Sequence, residues 1–222
     1  MFAYSNTRDG LNFSKEAERI VTKISTQKKR TDRRSIFLDG EYSFSVCEET
    51  FRLFPIETGK SLSEKQITII KTHEEFEKAK ELALRYLIRR MRSEYELTLY
   101  LRKKEITEKA VKRSISYCKE RKYINDEEYA SMLVRDMINL NCYGINKIRL
   151  QLRRRGLSSE IIKNVLENQI HDSDQLKNAF ELAKKKMRTI KDQAKAREKI
   201  YRFLQQRGFN YSVINQVLKD LQ

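Results

Sequence analysis

The sequence is poor in nearly everything that catalysis or cofactor binding draws on. It has two histidines in 222 residues, His73 and His171, and neither sits in an H-x-x-x-H or H-x-E pattern. Six glycines are too few and too scattered for a phosphate cradle, and neither G-x-x-x-x-G-K-[ST] nor G-x-G-x-x-G occurs. Carboxylate pairs such as Glu48-Glu49 and Glu127-Glu128 stand without metal-ligating neighbours. The three cysteines, Cys47, Cys118 and Cys142, form no C-x-x-C pair, and an odd, scattered set fits reduced thiols rather than a disulfide frame. No stretch approaches the roughly 20 apolar residues of a membrane span, and the opening MFAYSNTRDG has no signal-peptide core. These absences predict a cytosolic protein that binds rather than catalyses, without metal, cofactor or membrane.

With one proline in the whole chain, little interrupts helices after the first third. Residues 1–17 have no pattern and are expected to be flexible. Residues 18–71 read as a small β-rich module of about three strands. ERIVTKIS alternates β-branched residues, QKKRTDRR is a polar turn, and SIFLDGEYSFSV is two strands about an Asp39-Gly40 hairpin turn. Pro55 and Gly59 predict that the segment after it breaks into turns. From Thr72 the pattern becomes helical. Thr72 with Glu75, Ser93 with Glu96, and Asn125 with Glu128 are capping-box signatures, and Gly156 and Gly208 sit where helix-terminating glycines belong.

The helical part repeats. Shifted by 51 to 52 residues, Leu97, Leu101, Ile106, Val111 and Ile115 fall on Ile148, Leu152, Leu157, Ile162 and Leu166, and these fall on Ile200, Leu204, Phe209, Ile214 and Leu218. Upstream, Ala79, Ala83 and Leu87 match Ala130, Val134 and Ile138. They also match Ala179, Ala183 and Met187 if a loop around Thr189-Ile190-Lys191 is three residues longer. Eight apolar positions in three copies predict three tandem three-helix repeats, 72–124, 125–170 and 171–222. The expected fold is mainly α, an elongated right- or left-curved array after the β module.

Charge is asymmetric along the chain. Of a net +16, residues 1–78 contribute only +1 and residues 79–222 contribute +15. A basic helical region points to a polyanionic partner, or to a partner already on nucleic acid. Basic stripes recur in each unit: Arg85, Arg89 and Arg92; Arg149 and Arg153, followed by Arg154 and Arg155; Lys184, Arg188 and Lys191, with Lys195, Lys199 and Arg202. Such rows suit phosphates or carboxylates. Arg89, Arg92, Arg149, Arg153 and Arg154 are expected to face the partner. Tyr86, Tyr95, Tyr100, Tyr117, Tyr123, Tyr129 and Tyr143 cluster in the first two units, and none is assigned to base stacking.

The segment ALRYLIRRMRSEYELTLYLRKKEI resembles the opening repeat of the RecX family, through Arg89, Arg92, Ser93, Glu96 and Leu97. YINDEEYASMLV is similar to the family's entry into its second repeat, through Tyr123, Asn125, Asp126, Glu127, Tyr129 and Ala130. YGINKIRLQLRRRGLSSEII resembles that repeat's Gly144, Ile148, Leu152 and Gly156 pattern, and VTKISTQKKRTDRRSIFLDGEYSFSV the β extension of Gram-positive members. Lys104-Glu105 departs from the pattern where later repeats have Arg-Gly, so that helix end is expected to be looser. The resemblance implies a monomeric regulator that lies in the helical groove of the RecA recombinase filament, most often inhibiting filament assembly, ATPase and strand exchange. The implied partners are RecA and single- or double-stranded DNA. The alternative is a direct DNA binder that acts without a recombinase.

Overall fold

The computed structural model describes residues 18–28, 30–190 and 193–221. The expected flexibility of residues 1–17 and the placement of Lys191 therefore lie outside the described residues. The chain forms two compact units, divided between Lys78 and Ala79.

The first unit is built on an antiparallel sheet of β1 (Glu18–Thr26), β2 (Arg33–Leu38), β3 (Glu41–Cys47) and β4 (Ser61–Ser63), in the order β3-β2-β1-β4. Asp39 (φ 51°) and Gly40 (φ 88°) make the tight turn between β2 and β3, the left-handed pair that this hairpin geometry needs. Val21, Ile36, Leu38, Phe44 and Val46 point to one side of the sheet and pack with Ile56, Leu62, Ile67 and Ile70. Two expectations are corrected here. The segment after β3 is not all turns, because Glu48–Leu53 forms α1. The first long helix, α2 (Glu64–Leu87), starts a full two turns before Thr72. Thr72 is no cap: its hydroxyl bonds back to the Thr68 carbonyl at 2.7 Å, inside the helix. The true start is signalled by Ser63 and Gln66, which exchange side-chain and backbone bonds at 2.8 and 3.3 Å.

The second unit holds the repeats. The C-terminal part of α2 with α3 (Glu94–Lys103) and α4 (Glu108–Glu120) forms the first. The second is α5 (Asp126–Asn139), α6 (Ile145–Arg154) and α7 (Ser159–Gln169). The third is α8 (Asp172–Met187), α9 (Ala196–Arg207) and α10 (Tyr211–Asp220). Each repeat has its own apolar cluster, and the eight aligned positions fall in it three times over. Leu101, Leu152 and Leu204 are all fully buried. The Ser93–Glu96 capping box forms in both directions, and Asn125 accepts from the Glu127 and Glu128 backbones. Cys118 packs in the first cluster, where burial pushes its thiol up to about 11, so it serves as a small apolar filler.

The helix ends are equivalent as well. Gly156 (φ 74°) and Gly208 (φ 88°) turn the chain after α6 and α9 in the left-handed region. At the matching place after α3, Glu105 adopts φ 58° although it carries a Cβ. The departure seen in the sequence is thus a strained copy of the same turn, not a looser one.

Candidate polyanion and partner interface

The repeats join through their middle helices, and the same join is made twice. At the first junction, the Ser93 hydroxyl at the start of α3 donates to the Arg155 carbonyl at the end of α6, 2.6 Å away. At the second, the Gly144 N–H at the start of α6 donates to the Arg207 carbonyl at the end of α9, 2.9 Å away. Positive helix N-termini thus meet the carbonyl ends of the next middle helix, which satisfies orphan groups and aligns the helix dipoles. A side chain from the first helix of the following repeat completes each join. Asp126 accepts from the Glu94 N–H at 2.9 Å, and Gln175 accepts from the Ile145 N–H at 3.0 Å.

Two arginines that the sequence assigned to a partner lie at the first junction. The Arg155 guanidinium lies 3.0 Å from Glu96 and 2.9 Å from the Tyr129 hydroxyl, which itself donates to Glu96 at 2.9 Å. Arg92 turns onto the same carboxylate at 3.7 Å and lies over the Tyr86 ring, its side chain only 12% exposed. Burial pushes the Glu96 acid up, but the Ser93 N–H, the Tyr129 hydroxyl and the two guanidinium charges outweigh it and hold its pKa below the usual carboxylate range. Arg92 and Arg155 are therefore joining residues. Sequence spacing put Arg92 in a stripe with Arg85 and Arg89, but Glu96, one turn on, draws it inward.

The other predicted cations divide by whether an acid lies near. Arg85 pairs with Glu81 at 2.7 Å, and Arg202 pairs with Glu198. Lys184 is exposed, with its ammonium over the Phe180 ring, and Arg149 donates weakly to Asn146 at 3.4 Å. Arg89, Arg153, Arg154, Arg188 and Lys195 are exposed and have no carboxylate partner among the described residues. The fold also gathers cations that stripe-reading missed. A cleft of about 390 Å³ between α6 and α7 is lined by Arg149 and Arg153 and, from the other helix, by Lys163 and one acid, Glu167. A second, of about 560 Å³, brings Lys186 of α8 to Lys199 and Arg202 of α9. Lys163 and Lys186 lie on different helices from their neighbours, so no single-helix periodicity could group them. A third cleft, about 780 Å³ between α5 and α7, carries Glu127, Glu128 and several amides against one cation, Arg135, and does not suit a polyanion.

Among the described residues, no group of three or more His, Cys, Asp or Glu side chains could hold a metal ion, and no helix is long and apolar enough to cross a membrane.

Comparison with known proteins matches the chain along most of its length. Family models for the Regulatory protein RecX N-terminal domain and for the first, second and third three-helix domains of RecX match residues 19–63, 79–118, 125–166 and 172–218. A Regulatory protein RecX of Clostridium perfringens (strain SM101 / Type A) is 33% identical, over 90% of this chain and 95% of its own. One from Listeria welshimeri is 35% identical over 87% of this chain and 72% of its own. A crystal structure of regulatory protein RecX superposes with a TM-score of 0.73 at 32% identity, covering 91% of this chain and 99% of the other. RecX from Lactobacillus salivarius superposes at 0.62 with 27% identity, over 67% and 97%.

Proposed function

This chain belongs to the RecX family of regulatory proteins, and on that premise we propose that it binds the RecA recombinase–DNA filament in its helical groove and restrains filament assembly, ATPase and strand exchange. The observation that carries the reading is the set of exposed cations without internal acids, Arg89, Arg153, Arg154, Arg188 and Lys195, spread over three repeats whose cores are otherwise complete. None of these charges is neutralised by a carboxylate among the described residues, and a partner that is both anionic and periodic suits them. A DNA-filled groove of a protein helix offers phosphates and acidic side chains at regular intervals. The work is done by binding alone: a body seated in the groove opposes subunit rearrangement without any chemical step.

The test is a RecA ATPase assay on single-stranded DNA, run with the wild-type chain and with the Arg89→Glu, Arg153→Glu, Arg154→Glu variant. All three side chains are exposed, so the helical spectrum is expected to stay unchanged. Inhibition should fall further than affinity for bare DNA. A folded variant that restrains the ATPase as well as wild type refutes this face. Strictly proportional losses in the two assays favour simple competition for DNA.

A further inference from the structure

We propose that the middle helices of the first two repeats carry two copies of one protein-docking element, an exposed leucine with two cations one turn further on, which seats on apolar recombinase surface edged by carboxylates. The proposal rests on the filament reading above and separates its protein contacts from its DNA contacts. Leu99 on α3 is 45% exposed and Leu150 on α6 is 46% exposed. They stand 51 residues apart, at the same station of the repeat: each lies two residues before a leucine that is fully buried, Leu101 or Leu152. At i+3 and i+4, on the leucine's own side of the helix, come Arg102 and Lys103 in one case and Arg153 and Arg154 in the other, all exposed. The third repeat lacks the element. Its station holds Arg202, followed by Gln205 and Gln206.

A single exposed leucine needs no explanation. The same leucine, half in water at equivalent stations of two repeats, does, because these helices have polar alternatives at the third station. A phosphate gains nothing from a leucine, whereas apolar area flanked by arginine is the composition of a protein–protein contact. Charge points the same way. Lys103, Arg153 and Arg154 find no carboxylate among the described residues, and Arg102 alone is paired, with Glu108 at 2.6 Å. The missing acids belong to the partner. Two copies one repeat apart suit a partner that itself repeats, and binding at one assists the other. On α3, Tyr95 (46% exposed) extends the apolar strip by one turn.

The experiment compares full-length wild type with Leu99→Gln, Leu150→Gln and the double variant, glutamine being a comparable helix former. Binding is measured to RecA assembled on single-stranded DNA with a slowly hydrolysed ATP analogue, and to the bare strand. Leu140→Gln, at a 77% exposed residue outside the element, is the control. From the apolar area at stake, each single change is expected to weaken filament binding about threefold to fivefold and the double change tenfold or more, with bare-strand binding within about twofold. A folded double variant that binds the filament like wild type overturns the docking element alone. Equal losses on filament and bare strand overturn the protein assignment and make this a nucleic-acid contact. A wild-type chain that does not bind the filament overturns the underlying reading and this proposal with it.

Discussion

Gly144→Ala isolates the repeat junction from every other contribution to stability. Gly144 has φ −74° and ψ 157°, a conformation open to any residue, so the substitution carries no backbone penalty. The cost is entirely in space. A Cβ there would lie 2.2 Å from the Gly208 carbonyl carbon and 2.2 Å from the Phe209 nitrogen. Both are backbone atoms, so no side-chain rotation relieves the overlap, and α6 and α9 must separate. Separation stretches the Gly144 N–H to Arg207 bond of 2.9 Å and the Asn146 N–H to Gly208 bond of 3.0 Å. Two such bonds contribute about 1 kcal/mol each, and overpacking adds roughly 1–3, for a loss of about 3–5 kcal/mol. In a stacked array that loss falls on the coupling between neighbours rather than on any one core. Urea unfolding followed by circular dichroism should therefore show the third repeat melting early, as a separate transition. Hydrogen exchange should report faster opening across α8–α10 with the second repeat little changed. A single unshifted transition would refute the argument that this junction is closed at the backbone.

Four further outcomes follow from the same geometry. Glu105→Gly relieves the left-handed strain after α3 and should raise stability by about 1 kcal/mol, read as a higher denaturation midpoint. Leu152→Ala opens a hole in the second cluster and should cost roughly 2–5 kcal/mol in urea titration, with no effect expected only if the site collapses around it. Acid should weaken the first junction: the folded Glu96 pKa lies below its ordinary 4.5, so its stabilisation is complete above about that pH and is lost as pH falls through the depressed value. Thermal melts between pH 6 and pH 3 should show this component missing in Glu96→Gln. Arg155→Ala, which leaves Glu96 with less cover, should lower stability, whereas Arg154→Ala, at an exposed residue with no carboxylate partner among the described residues, should leave the denaturation midpoint unchanged and weaken filament binding.

The repeat was legible because one apolar face recurs at a fixed interval, and burial enforces that pattern more strictly than any local propensity does. All eight aligned stations, from Ala79, Ala130 and Ala179 to Ile115, Leu166 and Leu218, lie in their clusters. Asp39-Gly40 was legible for the opposite reason, since only the backbone of that pair makes the turn. The start of α2 was misplaced because Thr72 with Glu75 satisfies the capping pattern while the chain is already helical. Ile67 and Ile70, which bury the turn before it against the sheet, extend the helix towards its start. The short α1 was hidden by Pro55 and Gly59 downstream of it, residues that end a helix as readily as they make turns.

The candidate interface was less legible than the fold because a stripe of cations does not reveal which of them pair with acids inside the chain. Arg92 and Arg154 look alike in sequence, each one of several arginines beside a middle helix. Arg92 has Glu96 four residues on, on the same side of the next helix, and is drawn into the junction; Arg154 has none and stays in water. Arg155, next in the chain to Arg154, is likewise captured by Glu96, 59 residues away. One carboxylate thus holds two arginines at the first junction, whereas at the second Gly144 and Gly208 bring the backbones together directly. The two joins solve one geometric problem with different chemistry. The first adds to its backbone bond an ion-paired, half-buried glutamate that acid can discharge, while the second is closed by backbone and amide groups that acid does not titrate.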